Sequence, residues 1–213
     1  MKNEFTLNFD SQKEINLDGF FPPKEDVDNL ISFYLDGLEQ LHRIVHIPTF
    51  KREYASFGTP QRVRSPAMTA LILAMISISS TCAPTQSANA TSVPIKYRAM
   101  PAQCISVWEA WLKQQGPKHR KFVHYQISCL VYLAKRVNMI GKKMCWKETN
   151  SLIQDAIMDG LHCDPFPTTN TPYMRELKKR IWAVLQELDL QNAFENGLPT
   201  LLHHINSVLH QVL

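Results

Sequence analysis

Apolar residues recur along this chain at intervals of three and four, and the recurrence stops wherever a proline, a glycine or a run of small polar residues intervenes. From Lys24 onward, Val27, Leu30, Ile31, Tyr34, Leu38 and Leu41 share one helical stripe. Glu25 and Asp26 sit in its first turn, where the positive end of a helix favours acids. Residues 42–50 break the period, because Pro48 cannot continue a helix; Thr49 is placed to cap a short helix running through Tyr54 to Phe57, ended by Gly58 and Pro60. Ser65-Pro66 is a cap followed by proline at the first helical position, and it opens an apolar run to Ala83. A helix apolar all round belongs at the centre of a core.

Past a polar loop from Pro84 to Pro94, Pro101 restarts a helix carrying Ile105, Trp108, Trp111 and Leu112, which Gly116-Pro117 stops. A further helix spans about Arg120 to Met139, with Phe122, Val123, Ile127, Leu130, Leu133, Ala134 and Val137 inward. Thr149 or Asn150 is the expected cap of the next, which holds Leu152, Ile153, Ala156, Ile157 and Leu161 and ends before Pro165 and Pro167. Tyr173 to Phe194 reads as a long helix with Leu177, Ile181, Leu185 and Leu188 on one face, closed by Gly197-Leu198-Pro199. The tail sets Leu201, Leu202, Ile205, Leu209 and Val212 on one side, an apolar face that needs a cover. The expectation is an all-α fold of about seven to eight helices that continues beyond the C-terminus. Residues 1–21 form an acidic, flexible lead-in and residues 22–213 the domain.

Composition agrees with one globular domain: 213 residues, 45% hydrophobic and 20% charged. The net charge of +4 is unevenly spread, with three basic and nine acidic residues among the first forty, leaving twenty basic and ten acidic in the rest. Such a body can face an acidic partner, although solvated helix faces account for the same pattern. The five cysteines are sixteen to twenty-five positions apart with no C-x-x-C pair, and read as buried thiols of a reducing compartment. No secretory leader pattern opens the chain, which leaves the Asn89 sequon without a route to glycosylation. The run from Ala67 to Ala83 is too short and too hydroxyl-rich to cross a bilayer, so no membrane is expected as partner.

Candidate chemistry is sparse. His42 and His46 have the four-residue spacing of metal ligands on a helix, but Arg43 stands where a zinc peptidase needs its glutamate and Pro48 follows too soon. His162-Cys163-Asp164 assembles nucleophilic residue types, yet sequence neighbours point apart, whereas a triad converges from separate elements. Phosphate-loop, dinucleotide and nucleophile-elbow motifs do not occur, so no enzymatic activity is expected. Trp108, Trp111, Trp146 and Trp182 suit core filling, with a small-molecule pocket as the rival use. Lys178-Lys179-Arg180 could serve as an import signal or an acidic-partner contact, and equally as a solvated face.

Tyr34, then His46-Ile47-Pro48-Thr49-Phe50, Tyr125-Gln126, Asp155-Ala156, Gly160-Leu161-His162-Cys163-Asp164-Pro165, Glu176 to Trp182, Leu188-Asp189 and Gly197-Leu198-Pro199 stand in the order and spacing of one family's motifs. Over roughly residues 22–205 the chain resembles the fungal-specific transcription factor domain, the middle homology region of zinc binuclear-cluster activators. Two departures stand out: the family's arginine-rich triplet reads Lys178-Lys179-Arg180 here, and Leu198 replaces the arginine usual between glycine and proline. Roles that depend on guanidinium geometry do not carry over at those places.

The resemblance implies a regulatory domain in the nucleus, controlling transcription by RNA polymerase II through partner contacts and sensing of a metabolite. Its motif residues His46, Pro48, Phe50, Gly160, Leu161, His162, Asp164, Arg180, Trp182, Asp189, Gly197 and Pro199 are expected to be structural. It implies transcriptional co-regulators or a DNA-binding subunit as partners, with the C-terminal apolar face open to homo- or hetero-association. No cofactor is expected in this chain: zinc belongs to the family's six-cysteine DNA reader, which does not precede Pro22, so direct sequence-specific DNA binding is not expected. The alternative is a helical binding module for a small apolar ligand without a transcriptional role.

Overall fold

The computed structural model describes residues 19, 21–57, 65–83, 97, 100–114, 122–163 and 171–202. The lead-in before Gly19, the Pro84–Pro94 loop with Asn89, the stops at Gly58, Pro60, Gly116-Pro117, Pro165 and Pro167, and the tail beyond Leu202 lie outside them. The described residues form an all-α domain, with helices α1 (Lys24–Phe33), α2 (Glu39–His42), α3 (Ile47–Ala55), α4 (Pro66–Cys82), α5 (Met100–Gln114), α6 (Phe122–Val137), α7 (Cys145–Met158) and α8 (Pro172–Asn196).

The first predicted stripe is interrupted. Between α1 and α2 lies a π-turn, Tyr34–Leu38. Such a turn carries one residue more than an α-turn, so whatever follows is rotated by roughly 100°. Tyr34 stays inside, Leu35 and Glu39 rotate inward, and Leu41, expected on the stripe, is left 72% exposed. Arg43 then takes a left-handed conformation that ends α2 and turns the chain toward α3.

The cap of α3 is His46 rather than Thr49: Thr49 donates its N–H to the His46 ring at 3.4 Å, and the hydroxyl of Thr49 lies 2.8 Å from Nδ1. Pro48 occupies the first turn, where a missing N–H costs nothing, so it helps start this helix instead of ending one. Phe50 is buried and stacks on Tyr54 at 5.7 Å, Tyr54 on Phe57 at 6.3 Å, and Phe57 meets Phe21 at 5.6 Å. This row is tied to α1 by the Tyr54 hydroxyl, which donates to Asp28.

Helix α4 starts at Pro66 behind Ser65, as predicted, and every residue from Thr69 to Ser80 is buried. It packs against α6, α1 and α5. Two of its buried hydroxyls bond the helix's own carbonyls, Ser77 to Leu73 at 2.8 Å and Ser80 to Ser77 at 3.1 Å. Thr81 donates to Asn138 at 2.6 Å, placing the C-terminal ends of α4 and α6 together.

Helix α6 is buried on more sides than its stripe predicted, enclosing His124, Gln126 and Lys135. Helix α7 begins at Cys145, a turn before the expected caps, out of a 3-10 turn at Lys142–Met144. Thr149 and Asn150 are therefore interior residues. Thr149 accepts a hydrogen bond from Asn192 of α8 at 2.8 Å, and Tyr132 of α6 donates to the same Asn192. Three helices thus share one buried polar knot.

Helix α8 starts at Pro172 behind Thr171, whose hydroxyl accepts from Met174 N–H at 3.3 Å. Gly197, at φ 63°, lets the chain reverse after Asn196, and Leu198 donates to Ala193 at 2.9 Å, the closure of a left-handed C-cap. No described helix is long and apolar enough to cross a membrane.

Candidate functional site

Several of the motif residues lie toward the two ends of α8. At its start, the ring of His46 stands edge-on to Tyr173, 4.9 Å between centroids, so the residue that caps α3 also meets the first turn of α8. Gly160, at φ 71°, ends α7; Leu161 N–H returns to the Ala156 carbonyl at 2.9 Å, and the Leu161 side chain is buried. That turn delivers His162 to Trp182, 5.9 Å between rings. Trp182 is half-buried and packs on the core. Asp164 lies outside the described residues. Arg180 donates its Nε–H to Glu176 at 3.0 Å and stands close enough to buried Glu39 to favour its ionised form.

At the other end of α8, Asp189 is 1% exposed and accepts the N–H groups of Leu201 and Leu202 at 3.1 and 3.0 Å. Pro199 accepts the indole N–H of Trp146 at 3.3 Å. Arg180 apart, which makes an ion pair, the contacts shown for the described motif residues are caps, turns and packing. Trp108 and Trp111 are buried in α5 and belong to the same core.

His42 and His46 diverge: His42 Nδ1 lies 3.4 Å from Glu187 on α8, while His46 caps α3. Among the described residues no group of three or more His, Cys, Asp or Glu is placed to hold a metal ion. Cys104, Cys129 and Cys145 are buried, and burial pushes the thiols of Cys104 and Cys129 up to about 12. Cys82 and Cys163 are exposed, against expectation, because one is the last residue of α4 and the other sits in the turn after α7. Cys163 Sγ is 3.3 Å from His162 Nε2.

Two buried charges escaped sequence reasoning. Glu39 is 2% exposed, accepting the Tyr34 hydroxyl at 2.9 Å and Val45 N–H at 2.7 Å. Lys135, 5% exposed, lies between Glu109 and Glu148. Neither position breaks a helical pattern, so spacing alone carries no signal of them. The surface also holds apolar residues: Leu190 and Phe194 are strongly exposed one turn apart on α8, with Leu198 beyond them. The His42–Glu187 contact brings α2 alongside the same helix.

The described geometry is that of an all-helical scaffold with buried polar joints and an exposed apolar stripe. The family model described as the fungal-specific transcription factor domain matches residues 31–209, and the chain belongs to that family. Its relatives include transcription factor asR3 of Sarocladium schorii, 26% identical over 85% of this chain and 21% of that protein. Transcription factor lepE of Aspergillus flavus is 29% identical over 87% of this chain and 22% of its own length, and opdR of Penicillium oxalicum 29% over 84% and 22%. The chain therefore spans about a fifth of the length of these relatives. No solved structure matches it.

Proposed function

We propose that this chain is a nuclear regulatory module that controls transcription through protein contacts and carries out no catalysis. DNA reading and zinc belong, in this reading, to a separate six-cysteine module. The observation that carries it is the family match over residues 31–209, which aligns the chain with proteins named as transcription factors. The exposed stripe of Leu190, Phe194 and Leu198 on α8 supplies a face for a co-regulator or a DNA-binding subunit.

The test is a reporter assay in a fungal host, with residues 1–213 fused to a heterologous DNA-binding module. The fusion is expected to change reporter transcription relative to the module alone, and the paired change Leu190→Ser with Phe194→Ser to weaken that effect. A folded, nuclear fusion that leaves the reporter unmoved overturns the proposal.

A further inference from the structure

The α1–α3 corner is closed by one side chain. Both carboxylate oxygens of Glu39 are used, Oε2 by the Tyr34 hydroxyl and Oε1 by Val45 N–H, at 2.9 and 2.7 Å. These contacts tie the π-turn to the segment that leads into α3. Helix α8 lies against the same corner: its Arg180 acts on Glu39 electrostatically and holds Glu176 at 3.0 Å. Helix α6 adds Cys129, near the Tyr34 hydroxyl, and Gln126, whose amide donates to the Ile44 carbonyl at 2.8 Å. His42 is turned toward Glu187, and His46 toward Thr49 and Tyr173.

We propose that the Glu39 carboxyl is a proton-linked latch joining the π-turn, the start of α3 and the basic run of α8, and that one proton gained there raises the positive charge α8 offers to a partner. In the ionised state Glu39 accepts from both Tyr34 and Val45 and balances Arg180. A proton on Oε2 reverses the first contact, so that the carboxyl donates to the Tyr34 oxygen, while Oε1 keeps Val45. Arg180 then keeps its pair with Glu176, which faces solvent, and the Lys178-Lys179-Arg180 run loses the counter-charge of Glu39. Burial favours the neutral acid and pushes Glu39 up to about 7, against the opposing pull of Val45 N–H, the Tyr34 hydroxyl and Arg180. The exchange therefore falls in the neutral range. The latch rests on geometry; its use toward a partner rests on the regulatory reading above.

The experiment is a pH titration of the ¹⁵N-labelled chain, following the Val45 amide and the Arg180 Nε–H. Both are expected to shift with a common midpoint near 7 and to lose that shift in Glu39→Gln; in Arg180→Gln, where the charge favouring the carboxylate is gone, the Val45 amide is expected to titrate at higher pH. A Val45 signal that stays flat through neutrality overturns the proposal, as does a midpoint that persists in Glu39→Gln or vanishes in His42→Asn or His46→Asn. If Glu39→Gln does not fold, the partly exposed Arg180→Gln decides, and an unchanged or lowered midpoint refutes the latch. A silent reporter fusion would defeat the regulatory reading while leaving this midpoint in place, so the two failures are distinguishable.

Discussion

Lys135 on α6 grips Glu148 on α7 through both carboxylate oxygens, at 2.6 and 2.8 Å, and its ammonium reaches Glu109 of α5 at 2.7 Å. Three helices meet at one buried cation. Removing it strands two carboxylates, but both are partly exposed and can rehydrate, so the loss is smaller than for a fully enclosed pair. Lys135→Met is expected to cost about 1–3 kcal/mol in urea unfolding at neutral pH. The lysine's pKa is raised above its ordinary 10.5, although burial, the largest influence, pulls the other way; the bonds to Glu109 and Glu148 outweigh it. Its contribution is therefore complete below 10.5 and lost as pH rises through the folded value. The parent should lose this increment at strongly alkaline pH, and Lys135→Met should lack it; equal alkaline slopes would count against the pairing.

Trp182, expected to fill the core, is half-buried and packs against His162 and the core. Emptying an enclosed tryptophan site costs about 3–5 kcal/mol, so Trp182→Ala is expected to cost less, about 2–3 kcal/mol. For a domain of this size that lowers the thermal midpoint by roughly 4–12 °C. A midpoint within a degree of the parent would mean that the ring is held for contact with another molecule.

Asp189 fixes the segment after α8 by accepting two consecutive backbone N–H groups in a buried setting. Asp189→Ala strands both donors and should destabilise by about 2–4 kcal/mol. Limited proteolysis reads the same change locally: cleavage between Gly197 and Leu202 should accelerate in the mutant before the rest of the domain is cut.

Phe194 is 89% exposed and touches little of its own domain. Phe194→Ser is expected to leave unfolding within about 0.5 kcal/mol of the parent while lowering dye binding or self-association. A large loss of stability would place the ring in the core instead of on a contact face.

Local sequence determined the elements whose causes are local. Ser65-Pro66 starts α4, Gly197 ends α8, and a largely apolar run without a charged residue puts α4 at the centre, because caps, left-handed turns and hydrophobic spacing act within a few residues. What followed from tertiary structure alone was the fate of polar residues inside helices. Glu39 is buried, and Leu41 turned outward, at a π-turn whose Tyr34 meets Val45 through that carboxylate; Thr149 became a helix interior because Asn192, forty-three positions away, needed its hydroxyl; Lys135 went inside because two other helices brought glutamates to it. A buried polar group is tolerated only where partners distant in sequence satisfy it, and periodicity records each residue's own helix but not the helices that will close over it.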